Sequence, residues 1–281
     1  MALIGILGMP YALWSRKKAY DVIRFYCKSV FFVLRYLAGI TIEFKGKIPN
    51  EPCLICAKHQ SFLDVMMLAS VLPDFRFIMK HQLTYLPVIG FYARKTGTVA
   101  VNRSKKVGTV NKMMTSLNDE SGRQTIVYPQ GTRVLPYEHR PYKVGVGLIY
   151  KNLNLKCYLV ATNTGMFWAR RSLFRYPGTA VIEFIGSLDE GLEVDDFMAI
   201  AERKIEDASL KLTAQNLFEL KVIDNIVPEP VGGAQRNKQE TINKVGIVLE
   251  NVLSELEKIS SKDLMRERRE KFLFVGTQGI N

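Results

Sequence analysis

From Ile40 to Gly186 the chain is built on short apolar runs: ITIEFKG, PCLICAKH, FRFIMK, TVAVNR, QTIVYP, LKCYLVAT and TAVIEFIG. Each is too short for a typical helix and rich in β-branched or aromatic residues, the composition of a strand. ITIEFKG alternates apolar and polar positions, whereas CLICA is apolar throughout, as strands covered on both faces are. Helical stretches separate several runs, such as the apolar Phe62 to Leu72 and the segment Lys106 to Leu117. DDFMAIAERKIEDASLKL reads as a helix closing this part. Strands alternating with helices dictate an α/β fold with a mostly buried sheet flanked by helices.

Ahead of the sheet, MALIGILGMPYALWS is apolar for 15 residues and is followed by RKK. A spanning helix needs about 20 apolar residues, and Pro10 lies inside this run. A secretory signal would carry its positive charge first. The next segment, Ala19 to Ile40, places Asp21, Arg24, Lys28 and Arg35 on one helical stripe, with Phe25, Val30, Phe31, Val33 and Leu34 over the rest. Residues 1–41 are therefore expected to form two helices lying in a membrane interface, the cationic stripe toward the headgroups. The rival reading packs them on the protein's own core.

The net charge of +12 is uneven: 28 basic and 15 acidic residues precede position 205, against 11 and 12 from there on. The basic first part favours an anionic partner, such as nucleic acid, an anionic membrane surface or a phosphorylated substrate. Cys53 and Cys56 form a lone CxxC in an apolar run. Without a second pair nearby, they read as buried thiols and not as a zinc site, and no disulfide framework is suggested.

Four segments could carry chemistry. In KHQSFLDVMM, His59 stands five residues before Asp64. Residues five apart on a helix diverge by about 140° beyond one full turn. A His59–Asp64 hydrogen bond therefore requires His59 to lie before or at the helix start, where Asp64 can bind one ring nitrogen and leave the other as a base. TVAVNRSKK ends a strand in Arg103, a forked donor suited to phosphate. YPQGTR follows another strand, with Gly131 for close backbone approach, then Thr132 and Arg133. Lys143 adds a cation ahead of a helix rich in small residues, and CYLVATNTG is a buried strand leading to a polar turn.

In order and spacing these segments resemble the glycerolipid acyltransferase family, in particular the bacterial 1-acyl-sn-glycerol-3-phosphate acyltransferases. HQSFLD matches the HxxxxD block, VNR the second block, YPQGTR the third (usually FPEGTR) and LVATNTG the fourth. KHQLTYLPVIGFYARKTG resembles the stretch between the first two. Gln130 replaces the usual glutamate, and Leu159 a usual proline that would alter the acyl-side wall. The resemblance implies acyl transfer from acyl-CoA or acyl-carrier protein to the 2-hydroxyl of lysophosphatidic acid, with another lysophospholipid or glycerol 3-phosphate as alternative acceptors. It implies His59 as base, Asp64 as its orienting carboxylate, and a phosphate site of Arg103, Arg133 and Lys143 shaped by Gly131 and Thr132. It implies no metal, no bound cofactor and no nucleic acid, and a place at the cytoplasmic face of the bacterial inner membrane.

From about Leu210, LKLTAQNLFELKVIDNIVPEPVGGAQRN and the later RERREKFLFVG resemble the C-terminal end of the α subunit of bacterial acetyl-CoA carboxylase carboxyltransferase, with Lys221 where glycine and Gln235 where histidine is usual. The body of that subunit has no counterpart here, so no carboxylation activity is expected, and a carboxyltransferase β subunit would be a partner on the tail's evidence alone. Within the tail, VIDNIV reads as strand-like, and Ile242, Val245, Leu249, Val252, Leu256 and Ile259 form an apolar seam expected to pack on the chain's own body. The expected organisation is membrane-associating helices at 1–41, an acyltransferase domain at 42–205 and a mainly helical carboxyltransferase-like appendage at 206–281, with residues 1–205 expected to suffice for activity.

Overall fold

A computed structural model describes residues 2–101, 109–118, 122–136, 138–219, 223–228 and 237–277. The chain divides into two compact units, Met1–Ser209 and Leu210–Asn281. Helices α1 (Ala2–Leu13) and α2 (Arg16–Ala38) come first, then β1 (Ile40–Lys45), β2 (Cys53–Ala57), α3 (Phe62–Val71) and β3 (Phe75–Lys80). A 3-10 turn at His81–Tyr85 leads to α4 (Pro87–Lys95), β4 (Val99–Val101), α5 (Thr109–Asn118) and β5 (Gln124–Val127). Then follow α6 (Gly145–Leu153), β6 (Cys157–Thr162), α7 (Thr164–Phe167), β7 (Gly178–Leu188) and α8 (Val194–Glu219), within which the division falls.

The seven strands form one mixed sheet in the order β1-β7-β6-β2-β5-β3-β4. β7 runs antiparallel to β6 and parallel to β1, while β6, β2, β5, β3 and β4 are mutually parallel. Every residue of β2, β5 and β6 is buried, which is why these runs lack polar alternation. Side chains alternate across β2: Cys53, Ile55 and Ala57 join the layer that holds α2 and α3. Leu54 and Cys56 join the layer of α6 and α8, where Tyr150 stacks on Phe197 at 4.0 Å. The two cysteines of the CxxC thus point to opposite faces, as positions three apart on a strand must. Among the described residues no group of side chains is placed to hold a metal.

The α4 segment has no counterpart in the sequence reading as a helix. Its turn is tight enough that a Cβ on Gly90 would lie 2.0 Å from the Thr84 carbonyl oxygen. The helix expected from Lys106 starts, in its described part, at Thr109.

The N-terminal helices differ from expectation. α2 buries Tyr20, Cys27, Val30 and Leu34 against the first core layer, so Val30 and Leu34 face inward, and it buries Ala19 in a smaller cluster with Ala12 and Tyr92. Arg24, read as part of a stripe facing headgroups, instead donates to the carbonyls of Leu72 at 2.9 Å and Pro73 at 2.7 Å. The first is the C-cap carbonyl of α3 and the second follows it, and a guanidinium satisfies both well. Tyr20 donates to Asp74 Oδ1 at 2.8 Å and to the Phe75 carbonyl at 2.6 Å. The buried Arg123 reaches Asp74, Tyr20 and the carbonyls of Phe75 and Thr96. What α1 and α2 leave outward is apolar as well as cationic: Leu7, Trp14, Phe32 and Leu37 are exposed. No helix among the described residues is long and apolar enough to cross a membrane.

In the second unit the described part of the VIDNIV segment, 223–227, forms no strand. Helix α9 (Lys238–Leu256) carries the expected seam, but Ile242, Val245, Leu249, Val252 and Leu256 are all exposed and the helix has no buried residue. Periodicity specifies a face and not its cover. α10 (Ser261–Thr277) is capped at Ser260, and its Lys271 pairs with Asp224 at 2.5 Å.

All four cysteines are buried. Burial pushes the Cys27 and Cys53 thiols up to about 12, and those of Cys56 and Cys157 upward as well. At pH 8 each is therefore a protonated thiol, and the thiolate is the reactive form. We expect no maleimide labelling of the native chain at that pH and labelling of all four after denaturation, read by intact-mass spectrometry.

Candidate active site

β6, β2 and β5 lie side by side and parallel, so their carboxyl ends bring three connections to one edge of the sheet. Ligand sites in open α/β sheets gather at such edges. Here the edge carries Lys58 to Ser61 after β2, Tyr128 to Arg133 after β5, and Asn163 to Gly165 after β6.

After β2 the chain stays extended until Ser61, the N-cap of α3, with φ −141° and ψ 169°. Its hydroxyl accepts from the Leu63 N–H at 3.1 Å, while Asp64 reaches back, its Oδ2 accepting from the N–H groups of Ser61 and Gln60, each at 2.8 Å. This is a capping box with aspartate in the third position. The other oxygen, Oδ1, accepts from His59 Nδ1 at 2.9 Å. His59 precedes the helix, so the side chains converge across a spacing that would part them inside one. With Nδ1–H given to the carboxylate, the lone pair of the ring lies on Nε2. Asp64 is 1 % exposed and His59 17 %, and the imidazole stacks on Tyr128 at 4.0 Å. Burial, with the Asp64 charge beside it, pushes the Tyr128 phenol well above its ordinary range.

The loop after β5 turns at Gly131, whose φ of 67° favours glycine, and whose N–H donates to the Tyr128 carbonyl at 2.9 Å. The Val134 N–H donates to the His59 carbonyl at 2.8 Å and ties this loop to the first. Thr132 and Arg133 are half-buried on it, and the Arg133 carbonyl accepts from Arg170 at 3.4 Å. Lys143 joins through its backbone, donating to the Pro129 carbonyl at 3.0 Å, and its side chain is exposed. Arg103 lies outside the described residues. The structure thus gathers His59, Asp64, Gly131, Thr132 and Arg133 at one sheet edge.

The fourth segment serves the same edge. Asn163 accepts from the Val181 N–H at 2.7 Å, fixing β6 against β7, and Thr164 donates to Asp64 Oδ2 at 3.4 Å. Leu159 is buried in the α6 and α8 layer, on the sheet face opposite Ile55 and Ala57. Alternation along β6 puts it there.

The sequence reading missed a second polar group under the site. Lys58, 2 % exposed, leaves β2 on the α8 side and pairs with Glu206. Glu206 Oε1 also accepts from Gln130 Nε2 at 3.2 Å and from the Tyr142 hydroxyl at 3.0 Å. Burial, then the Glu206 charge, pushes the Tyr142 phenol up. The available signal was Lys58 itself, a charge directly continuing a fully buried strand.

Residues 39–173 match the family model described as Acyltransferase, and residues 198–276 the one described as acetyl co-enzyme A carboxylase carboxyltransferase-like. A 1-acyl-sn-glycerol-3-phosphate acyltransferase of Pseudomonas aeruginosa is 28% identical over 163 residues, 56% of this chain and 63% of that protein. The acetyl-coenzyme A carboxylase carboxyl transferase α subunit of Gluconacetobacter diazotrophicus is 49% identical over 73 residues, 26% of this chain and 23% of that protein. That of Cereibacter sphaeroides is 47% identical over 81 residues, 28% and 25%. The chain thus spans less than two thirds of the length of these curated relatives. The crystal structure of the 1-acyl-sn-glycerophosphate (LPA) acyltransferase PlsC from Thermotoga maritima superposes with a TM-score of 0.60 at 21% identity, covering 71% of this chain and 81% of that one, a likeness of fold. Residues 39–173 thus resemble an acyltransferase domain, and residues 198–276 of the same chain resemble the carboxyltransferase α subunit.

Proposed function

We propose that the chain transfers an acyl group from a thioester, acyl-CoA or acyl-carrier protein, to the 2-hydroxyl of lysophosphatidic acid, giving phosphatidic acid. The observation that carries the reading is the His59–Asp64 hydrogen bond at 2.9 Å at the carboxyl edge of the sheet. Asp64 holds the ring with Nδ1–H bound, so Nε2 accepts the proton of the acceptor hydroxyl as its oxygen attacks the thioester carbonyl. The tetrahedral adduct collapses, the C–S bond breaks, and the thiolate leaves with the proton held by His59. Arg133 and Arg103, with Lys143, hold the acceptor phosphate, and Gly131 and Thr132 shape its seat.

The acceptor is a lipid, and the exposed apolar residues of α1 and α2 beside exposed Arg16, Lys17, Lys28 and Arg35 support docking on an anionic membrane surface. In this reading the cytoplasmic face of the bacterial inner membrane is the site of reaction. In this reading residues 210–281 are not needed for the chemistry, and Glu206 stays with the acyltransferase part.

His59→Ala should lower transfer by at least about 10²-fold, the usual worth of a general base, with an unchanged thermal melt. Asp64→Asn should lower turnover similarly, because the amide favours the wrong tautomer. Near-normal transfer by His59→Ala in membranes free of other acyltransferases would overturn the proposal. An assay across lysophosphatidic acid, another lysophospholipid and glycerol 3-phosphate identifies the acceptor. A chain ending at Ser209 should complement a strain lacking the acyltransferase, and a chain ending at Ile205, without Glu206, should not.

A further inference from the structure

Lys58 and His59 are consecutive but serve opposite faces of the sheet. His59 meets Asp64 and Tyr128, while the Lys58 side chain enters the α8 layer. A buried ammonium needs a carboxylate to offset its lost hydration. That carboxylate is Glu206, distant by 148 residues in sequence. Its Oε2 meets Lys58, and its Oε1 accepts from Gln130 and Tyr142. Glu206 is itself held in place: Phe197, Ala201 and Ile205 of α8 are each 0% exposed, and their spacing of four fixes one face of the helix on the sheet. Gln130 is 2% exposed and, being an amide, brings no charge to the group; its amide oxygen has no hydrogen-bond partner among the described residues.

We infer that Glu206 is a positioning residue for the proposed transfer. By binding Lys58 and Gln130 together, it fixes the end of β2 that presents His59 and the turn that presents Gly131, Thr132 and Arg133. Glu206 touches neither His59 nor Asp64. It acts through the two backbone stretches, and small displacements of reacting groups are costly to rate. Glu206 lies inside the 198–276 match and also inside the first structural unit.

The inference rests on the acyl-transfer reading for its rate measurement. An inactive wild-type chain would defeat that reading, whereas an active wild type allows Glu206 to be judged alone. The test uses the full-length chain with Glu206→Gln, Gln130→Glu and the double variant. Glu206→Gln keeps the shape and leaves Lys58 without its charge. It should lower kcat/KM by about tenfold or more, with KM raised for the phosphate-bearing acceptor and unchanged for the thioester donor. The double variant returns a carboxylate to the group from the Gln130 side and should recover most of the loss. A residue that merely supported the fold would lower the melting temperature without this split in KM. Wild-type kinetics in Glu206→Gln, or a double variant no better than the single, overturns the inference. If Glu206→Gln does not accumulate as folded protein, the double variant decides: folded and active supports the inference, and inactive or unfolded overturns it.

Discussion

Both oxygens of Asp64 are committed, and the acyltransferase part is organised around that commitment. Oδ2 closes the first turn of α3 through two backbone N–H groups, and Oδ1 orients His59. The N-terminus of a helix favours negative charge there, so the position suits a carboxylate before any chemistry is considered. One side chain therefore begins the helix and aims the imidazole. A helix start displaced by one residue would also displace the ring. The three parallel strand ends β6, β2 and β5 supply the rest, because adjacent parallel strands deliver their loops to the same edge.

The sheet was legible because its strands leave short runs, apolar throughout where both faces are buried and alternating in β1, and each such run from Ile40 onward is a strand in its described part. The bend ahead of α3 was legible from angular spacing alone. That Ser61 makes it, and that Asp64 also caps the helix, was within reach of the capping pattern but was not read. Other features were invisible for physical reasons. Arg24 looks like a surface charge until the carbonyls of Leu72 and Pro73 arrive from another element. Lys58 and Glu206 meet only because β2 and α8 share a layer, and nothing local records that. In the tail, the seam of α9 was read correctly as one apolar face, but periodicity cannot say what covers it, and in this chain it is exposed.

The two family matches and the two structural units do not share a border. The carboxyltransferase-like match begins at 198, yet the first unit runs to Ser209, and Phe197, Ala201 and Ile205 complete its second core layer. Residues inside the carboxyltransferase-like match thus pack in the core of the first unit. Helices permit this more readily than strands. A helix satisfies its own backbone hydrogen bonds and needs only a fitting apolar face, whereas a strand must match the register of its neighbours.

Helix α3 is held at both ends by other parts of the chain. Asp64 binds its first turn beside His59, and Arg24 of α2 binds the carbonyls of Leu72 and Pro73 at its far end. Its ten residues span about 15 Å at the rise of an α-helix. The helix therefore works as a strut of fixed length and phase between α2 and the dyad. One added residue would turn Asp64 by about 100° relative to the Arg24 anchor. Whatever surface receives the outer side of α2 meets His59 at a depth set by the number of residues in α3.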